Sequence, residues 1–162
     1  MAQLFVISAP SGTGKTSLIH KILEEELASK TKLGVSCTTR ERRKNEEEGI
    51  AYFFLDEDTF NKKIDEGNFL EYAKVFGNLY GTPKDWVVST ISQGFDVVLE
   101  LDVQGAIKVK DAYPDAKTIF IIPPSYQDLG NRLVNRDQDS EETIEKRLSE
   151  AKQEVFSGKD FD

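Results

Sequence analysis

The stretch "LFVISAPSGTGKTSL", from Leu4 to Leu18, contains most of the phosphate-loop pattern G-x-x-x-x-G-K-[ST]. An apolar run precedes the loop and an amphipathic segment follows it, and this is the strand–loop–helix context in which the pattern binds phosphate. Ala9 stands in place of the first glycine, where the chain leaves the strand. The stretch predicts a nucleoside triphosphate site, but by itself it does not distinguish a kinase from a GTPase or an ATPase.

The mechanics of the loop support this prediction. Gly12 and Gly14 permit backbone angles that turn successive N–H groups towards phosphate oxygens, and the start of the following helix adds partial positive charge. Lys15 can reach the β- and γ-phosphates, and the Thr16 hydroxyl can ligate Mg²⁺. A glycine-rich turn without a ligand is the alternative interpretation, but it leaves Gly-Lys-Thr at the start of a helix unexplained. The predicted triphosphate-binding residues of the loop are Ala9, Pro10, Ser11, Gly12, Thr13, Gly14, Lys15, Thr16 and Ser17.

The composition indicates one globular domain with room for a small insertion. The 162 residues are 38% hydrophobic and 31% charged, with a formal net charge of −8. Nucleic-acid binding depends on clustered Lys and Arg, so such an acidic chain is not expected to bind nucleic acid. Cys37 is the single cysteine, the N-terminus lacks a signal-peptide pattern and no apolar run is long enough to span a membrane. We therefore expect a cytoplasmic protein that does not bind membranes.

Alternating apolar runs and helical patterns predict the fold class. Leu4–Ile7, Val97–Leu101 and Thr118–Ile122 have the pattern of buried parallel strands. After the loop, one apolar helical stripe is formed by Leu18, Ile19, Ile22, Leu23 and Leu27. Strands that alternate with helices predict an α/β fold, with a parallel sheet flanked by helices.

Two further segments are predicted around the middle and the end of the chain. A helix is expected to begin with Thr82 as N-cap and Pro83 at the first helical position, and to end at Gly94. Residues 123–156 have the pattern of two helices joined by a charged segment near 137–140, which is either a solvated turn or a mobile lid. The apolar stripe of the second helix consists of Ile144, Leu148, Ala151 and Val155.

Residues 34–82 interrupt the alternation and predict a small mixed α/β insertion. It contains the strand-like pieces "GVSCTT", "AYFFL" and "NFLEYAKVF", and a short helix from Asp58 to about Glu66 that ends at Gly67.

Several side chains of this insertion are suited to holding a phosphate. Arg40 and Arg43 lie three residues apart, and Tyr52 and Tyr80 offer phenolic hydroxyls, although a solvated basic run is the alternative for "RERRK". Glu71 is a carboxylate within an apolar stretch, so it faces either solvent or the edge of a nucleotide base.

The chain resembles guanylate kinases, which transfer phosphate from ATP to GMP. The resemblance is carried, in order along nearly the whole chain, by "SAPSGTGKTSL", "VSCTTRERR", "YFFL", "FLEYAKVFGNLYGT", "LELDVQGA", "IFIIPPS" and "DSEETIEKRL". Together these segments are highly specific, because other phosphate-loop nucleotide kinases lack the "TTR" and "GNLYGT" segments. The resemblance implies the phosphate-loop NTPase fold with a GMP-binding insertion and a helical lid, and it implies the reaction ATP + GMP = ADP + GDP.

The resemblance also implies a role for individual residues. Ser36, Glu71 and Thr82 would hold guanine, Arg40, Arg43, Tyr52 and Tyr80 would hold the GMP phosphate, and Asp102 would lie near the GMP site. Thr16 and Glu100 would lie near Mg²⁺, although the family usually has Asp where Glu100 stands; Arg42 stands where the family often has Pro. Arg132, Arg136 and Arg147 match the lid arginines: Arg132 and Arg136 would contact ATP, and Lys15, Arg40, Arg136 and Arg147 would act in catalysis.

The implied organisation is a core of residues 1–33 and 83–123, the insertion of residues 34–82, a lid of residues 124–150 and a return to the core over residues 151–162. The family's C-terminal strand and helix are expected to be absent after "KDFD". Two alternative functions stay open: a non-catalytic guanylate-kinase-like interaction module and a nucleoside monophosphate kinase of other base specificity. A switch GTPase is disfavoured because no "NKxD"-type motif occurs. The oligomeric state is left open.

Overall fold

The protein is represented by a computed structural model that describes residues 1–10, 12–24, 29–75, 77–134 and 141–162; for residues 132, 133, 141–147 and 150 only the backbone is described. In chain order the elements are β1 (Leu4–Ser8), α1 (Lys15–Glu24), β2 (Thr31–Leu33), β3 (Cys37–Thr38), β4 (Phe53–Phe54), α2 (Glu57–Asp65), β5 (Phe69–Val75), β6 (Asn78–Pro83), α3 (Lys84–Ser92), β7 (Asp96–Glu100), α4 (Val103–Ala112), β8 (Lys117–Phe120), α5 (Tyr126–Val134), α6 (Glu141–Ser157) and a 3₁₀ turn (Gly158–Asp160). The strands form two four-stranded sheets.

The first sheet confirms the predicted α/β fold with a parallel sheet. Its strand order is β2-β7-β1-β8, and every neighbouring pair is parallel. The three predicted strands are present, with the bounds of β7 and β8 shifted by one or two residues towards the N-terminus. The fourth strand, β2, was missed because Thr-Lys-Leu is too short and too polar to stand out as an apolar run.

Both faces of the central strands β1 and β7 are largely buried, which explains why these two strands are apolar without alternation. Leu4 and Val6 of β1 point to the face that is covered by Val87 of α3 and Val109 of α4. The next residue, Ile7, points to the opposite face. There it packs with Val98 and with Ile19 of α1. Leu18, which was predicted to belong to the apolar stripe of α1, is instead 44% exposed.

The second sheet is formed by strands between Cys37 and Pro83 and combines parallel with antiparallel pairs. Together with helix α2 it gives this region the mixed α/β character that the sequence predicts. Its order is β4-β3-β6-β5; β3 pairs parallel with β4 and antiparallel with β6, and β5 pairs antiparallel with β6. Helix α2 packs on it through the fully buried Phe60, whose ring stacks on Phe69 at 4.5 Å. The Asp56 side chain caps α2 by accepting from Thr59 N at 2.7 Å. Leu70 of β5 belongs to the core cluster, so this sheet is anchored to the parallel sheet by apolar packing.

The predicted N-cap of α3 is wrong. Thr82 lies in β6 and is 1% exposed, and Pro83 occupies the N-cap position with extended backbone angles (φ −63°, ψ 117°). The Thr82 hydroxyl donates to Glu71 across the two strands instead of capping the helix. A Thr-Pro pair fits either role in the sequence, and the cross-strand carboxylate decides between them. At the other end, α3 closes as predicted, with Gly94 at φ 90°.

Two helices near the end of the chain are confirmed as α5 and α6. Leu129 and Ala151 are fully buried against each other, with Leu148 packed alongside. The predicted joint at 137–140, Leu27 and the side chain of Ile144 fall outside what is described. Among the described residues, no helix combines the length and the apolar character that a membrane crossing requires.

Candidate active site

The phosphate loop lies at the carboxyl edge of the parallel sheet, between the end of β1 and the start of α1. Gly12 and Gly14 adopt φ angles of 88° and 93°, which residues with a side chain rarely reach. Thr13 N donates to Pro10 O at 3.2 Å, and Ala9 is buried at 7% exposure. Alanine therefore fits the buried position where the first glycine of the pattern is expected. Ser11 lies outside the described residues.

Residues of the loop line a cavity of about 310 Å³ together with two acidic side chains from elsewhere in the chain, Asp102 and Glu154. Asp102 follows β7, and Glu154 lies on α6. The cavity therefore joins the loop, the end of a neighbouring strand and the last helix. Its loop residues are Ala9, Pro10, Gly12, Thr13, Gly14, Lys15, Thr16 and Ser17.

Lys15 reaches across the loop to the end of β7. Its Nζ donates to Leu101 O at 2.7 Å and lies 3.9 Å from Glu100 Oε1. Burial lowers the pKa of the ammonium group, and the carboxylates of Glu100, Asp102 and Glu154 oppose this shift. A partly desolvated ammonium group is thus held at the cavity, where a phosphate could take over its interactions.

Thr16 and Glu100 lie beside Lys15 and are hydrogen-bonded to each other through their side-chain oxygens. The Thr16 hydroxyl donates to Glu100 Oε1, and the strand register places Glu100 opposite Ile7, one residue before β1 ends. Parallel pairing of β1 and β7 therefore brings the loop and the acidic residue together. No cluster of three or more His, Cys, Asp or Glu side chains that could bind a metal occurs within the described part of the chain.

Glu71 and Thr82 form a buried polar pair on the second sheet. They are opposite each other in the pairing of β5 with β6, they are 8% and 1% exposed, and the Thr82 hydroxyl donates to Glu71 Oε1 at 2.7 Å. Burial raises the pKa of Glu71, and the negative charge of Asp102 adds to this rise, whereas the Thr82 hydrogen bond and the charge of Lys108 oppose it. Of the two interpretations of Glu71, the solvent-facing one is therefore wrong.

Asp102 lies between the two groups of residues. Its Oδ1 accepts from Gly105 N at 2.7 Å, which makes it the N-cap of α4, while its charge acts on both Lys15 and Glu71. Ser36 precedes β3, and its carbonyl accepts from Phe53 N at 2.9 Å; its half-buried hydroxyl is part of the predicted guanine set.

Arg40, Tyr52 and Tyr80 come together on the second sheet. The rings of Tyr52 and Tyr80 lie 5.8 Å apart, edge to face, and the Arg40 guanidinium lies 5.5 Å from the Tyr52 ring. Arg40 donates to Glu46 Oε1 at 2.7 Å, and this hydrogen bond is the main reason why the pKa of Arg40 is raised above its usual value. Burial raises the pKa of Tyr52, so its hydroxyl keeps its proton at neutral pH.

The structure describes the other predicted arginines only in part. The Arg43 and Arg42 side chains are exposed, and Arg43 contributes its backbone N–H to Glu46 at 2.9 Å. Arg132 lies on α5 and Arg147 on α6, but their side chains lie outside the description, as does the whole of Arg136.

Glu46 and Glu154 were not predicted from the sequence. Glu46 is the first of three consecutive glutamates in "NEEEG", and nothing in that run shows which one turns inward. Glu154 comes from a helix more than 130 residues away from the loop in the sequence, so only the three-dimensional packing reveals it.

The phosphate loop after β1, the carboxylate at the end of the adjacent parallel strand and the flanking helices define a P-loop NTPase fold. A family model described as guanylate kinase matches residues 1–162. The guanylate kinase of Hahella chejuensis is 48% identical over 160 residues, which cover 99% of this chain and 76% of that protein. The guanylate kinase of Vibrio cholerae is 46% identical over 159 residues, covering 98% and 77%.

A solved structure agrees with these sequence matches. The crystal structure of guanylate kinase from Anaplasma phagocytophilum superposes with a TM-score of 0.74 at 32% sequence identity, covering 99% of this chain and 74% of that one. The chain belongs to the guanylate kinase family.

Proposed function

We propose that this chain transfers the γ-phosphoryl group of ATP to GMP, giving ADP and GDP. The observation that carries the proposal is the presence, in one fold, of a phosphate loop with Lys15 at its cavity and a buried polar pair, Glu71 and Thr82, on a separate sheet. Asp102 acts electrostatically on both. A kinase that transfers a phosphoryl group from one nucleotide to another needs a donor site and an acceptor site that lie close together.

On the ATP side, the loop N–H groups and the start of α1 would cradle the phosphates. Lys15 would exchange Leu101 O for phosphate oxygens, so that its charge stabilises the negative charge on the phosphoryl group as it moves. The residues assigned to ATP are those of the loop from Ala9 to Ser17, together with Arg132 and Arg136.

Mg²⁺ would be held by Thr16, with Glu100 acting directly or through a water molecule. The donor chemistry fits, because both groups present oxygen and Mg²⁺ typically takes one or two protein oxygens and completes its shell with water and substrate phosphates. Bound with ATP, it would neutralise part of the phosphate charge.

At the GMP site, the arrangement of hydrogen-bond donors and acceptors would select guanine. The Glu71 carboxylate can accept from guanine N1–H and from the 2-amino group, and adenine presents the opposite pattern. A hydroxyl has one proton, so Thr82 cannot donate to guanine O6 while it donates to Glu71. In this arrangement Ser36 would serve O6 and Thr82 would orient Glu71.

The GMP phosphate would bind to Arg40, Arg43, Tyr52 and Tyr80. Phosphoryl transfer needs the attacking GMP oxygen to be aligned with the γ-phosphate and the developing charge to be neutralised. Arg40, Lys15, Arg136 and Arg147 are the residues that we assign to this task. We also propose that residues 34–82 and 124–150 are the GMP-binding and lid segments around the core of 1–33 and 83–123, to which 151–162 return, and that the protein acts in the cytoplasm.

A coupled assay of ADP formation tests the proposal. With ATP and Mg²⁺ present, GMP is expected to be phosphorylated and AMP, UMP and dTMP to be poor substrates, because none of their bases presents to Glu71 the adjacent pair of donors that guanine has. Equal use of AMP or UMP would contradict the guanine assignment, and no turnover with any of the four would favour a non-catalytic interaction module. ADP formation without an acceptor would instead indicate an ATPase.

A further inference from the structure

The two carboxylate oxygens of Glu46 accept hydrogen bonds from different groups of the loop that carries Arg40 and Arg43. One oxygen accepts from Arg40 Nη2 at 2.7 Å and the other from Arg43 N at 2.9 Å, while Glu46 N donates back to Arg43 O at 3.1 Å. The side chains of Arg40 and Glu46 are only 16% and 18% exposed. The pair is therefore part of a closed turn, in contrast to a solvent-exposed ion pair between two mobile side chains.

The other contacts of Arg40 show which part of the guanidinium stays available. Arg40 Nη1 donates to Glu41 O at 2.7 Å, and the rings of Tyr52 and Phe54 lie 5.5 and 5.9 Å from the guanidinium carbon. A guanidinium carries five N–H donors in one plane; the bonds to Glu46 and Glu41 occupy two of them, and a further side-chain hydrogen bond joins Arg40 to Tyr80. The remaining donors are held in a fixed plane beside the phenolic ring of Tyr52.

We propose that Glu46 is a positioning residue for the acceptor substrate: it holds Arg40 in the orientation that receives the GMP phosphate and thereby sets the KM for GMP. The inference rests on the proposed function, in which Arg40 binds that phosphate. The alternative is that Glu46 competes with the phosphate for Arg40, so that its removal would improve GMP binding. The bond to Arg43 N argues against competition, because it keeps the carboxylate in the turn whether or not Arg40 is engaged.

Charge favours the same conclusion. The Arg40 hydrogen bond, followed by the Arg43 N–H, lowers the pKa of Glu46, so the carboxylate is ionised throughout the neutral range. The bond to Arg40 is consequently charge-assisted at every pH at which the enzyme would be assayed.

The test compares Glu46→Gln with Glu47→Gln, a matched control that removes the same charge from an exposed side chain one residue away. Glu46→Gln is expected to raise the KM for GMP roughly five- to thirtyfold, since a side chain that loses its fixed orientation must be ordered on binding. The kcat at saturating GMP, the KM for ATP and the melting temperature are expected to change little. Glu46→Asp, which keeps the charge on a shorter arm, is expected to recover part of the loss.

A double variant isolates the route through Arg40. In an Arg40→Met background, Glu46→Gln is expected to have no further effect on the KM for GMP, because there is no guanidinium left to orient. An unchanged or lower KM in Glu46→Gln, or a full additional loss in the Arg40→Met background, would overturn the inference. If Arg40→Met itself leaves the KM for GMP unchanged, the assignment of Arg40 to the phosphate fails, and with it the premise of this inference.

Discussion

The two proposed nucleotide sites are built in different ways. The proposed ATP site would use the backbone N–H groups of the loop and the cation of Lys15, whose partners in the structure are a carbonyl and a carboxylate at the end of β7. The second sheet uses side chains that are already paired with one another, namely Arg40 with Glu46 and Thr82 with Glu71. A backbone cradle tolerates changes such as Ala9 at the first glycine, whereas a site of paired side chains depends on the identity of each partner.

Burial shifts the pKa of one charged group in each site, and the two shifts have opposite directions. Desolvation lowers the pKa of Lys15 and raises that of Glu71, so in both cases the ionised form is disfavoured in the folded protein. The anionic substrate can restore the charge of Lys15, and the two guanine N–H donors can stabilise the ionised form of Glu71. Each residue is thus expected to act on its own substrate, which separate variants can test.

The largest effect is expected from Lys15→Met. Loss of the ammonium group removes the charge that stabilises the moving phosphoryl group, so kcat is expected to fall about 10³-fold. GMP affinity, measured by calorimetry, is expected to stay within about twofold, because GMP is held by the second sheet.

Lys21→Met provides the control for this variant, since Lys21 is exposed in the last turn of the same helix. Its kcat is expected to equal that of the unmodified protein. If Lys15→Met loses GMP binding together with activity, the two sites are not independent and the comparison between them is wrong.

The sequence predicts the phosphate-loop site more completely than the site on the second sheet. The loop motif, the strands on either side of it and the α/β class follow from local pattern, because a glycine-rich turn after an apolar strand has few alternative structures. The pairing of Glu71 with Thr82 depends on the register of β5 and β6, which a sequence does not specify residue by residue. Without that register, the Thr-Pro pair predicts a helix cap at Thr82. In the loop before β4, the run of three glutamates does not show that Glu46 is the one that pairs with Arg40.

A smaller, substrate-specific effect is expected from Glu71→Gln. The amide oxygen can still accept from Thr82, but the amide nitrogen places a donor against a guanine donor, which costs about 2 to 3 kcal/mol, or roughly 30- to 150-fold in kcat/KM for GMP. Discrimination against AMP is expected to shrink in parallel, while the KM for ATP stays unchanged. Steady-state kinetics with GMP and AMP measure both effects.

The melting temperature of Glu71→Gln shows whether its loss of kcat/KM comes from misfolding or from the lost contact with guanine. Because the pKa of Glu71 is raised in the folded state, its contribution to stability is full below its usual value of 4.5 and is lost as pH rises through the raised value. Above the raised pKa the ionised side chain therefore costs stability, and in that pH range Glu71→Gln is expected to melt at the same or a higher temperature than the unmodified protein. A clear drop in melting temperature would attribute the kinetic loss to misfolding, and a loss of GMP kcat/KM below threefold would argue against the guanine assignment.

The smallest effect is expected in the pH dependence of the reaction. As pH falls through the raised pKa of Glu71, the carboxylate gains a proton and presents a donor to guanine N1–H, so kcat/KM for GMP is expected to fall at a pH above 4.5. The second pKa of the GMP phosphate, about 6, also affects how kcat/KM depends on pH. The ratio of kcat/KM between the unmodified protein and Glu71→Gln removes that contribution, because both use the same substrate. The ratio is expected to fall towards acid pH, whereas a ratio independent of pH would mean that the ionised form of Glu71 does not contact the base.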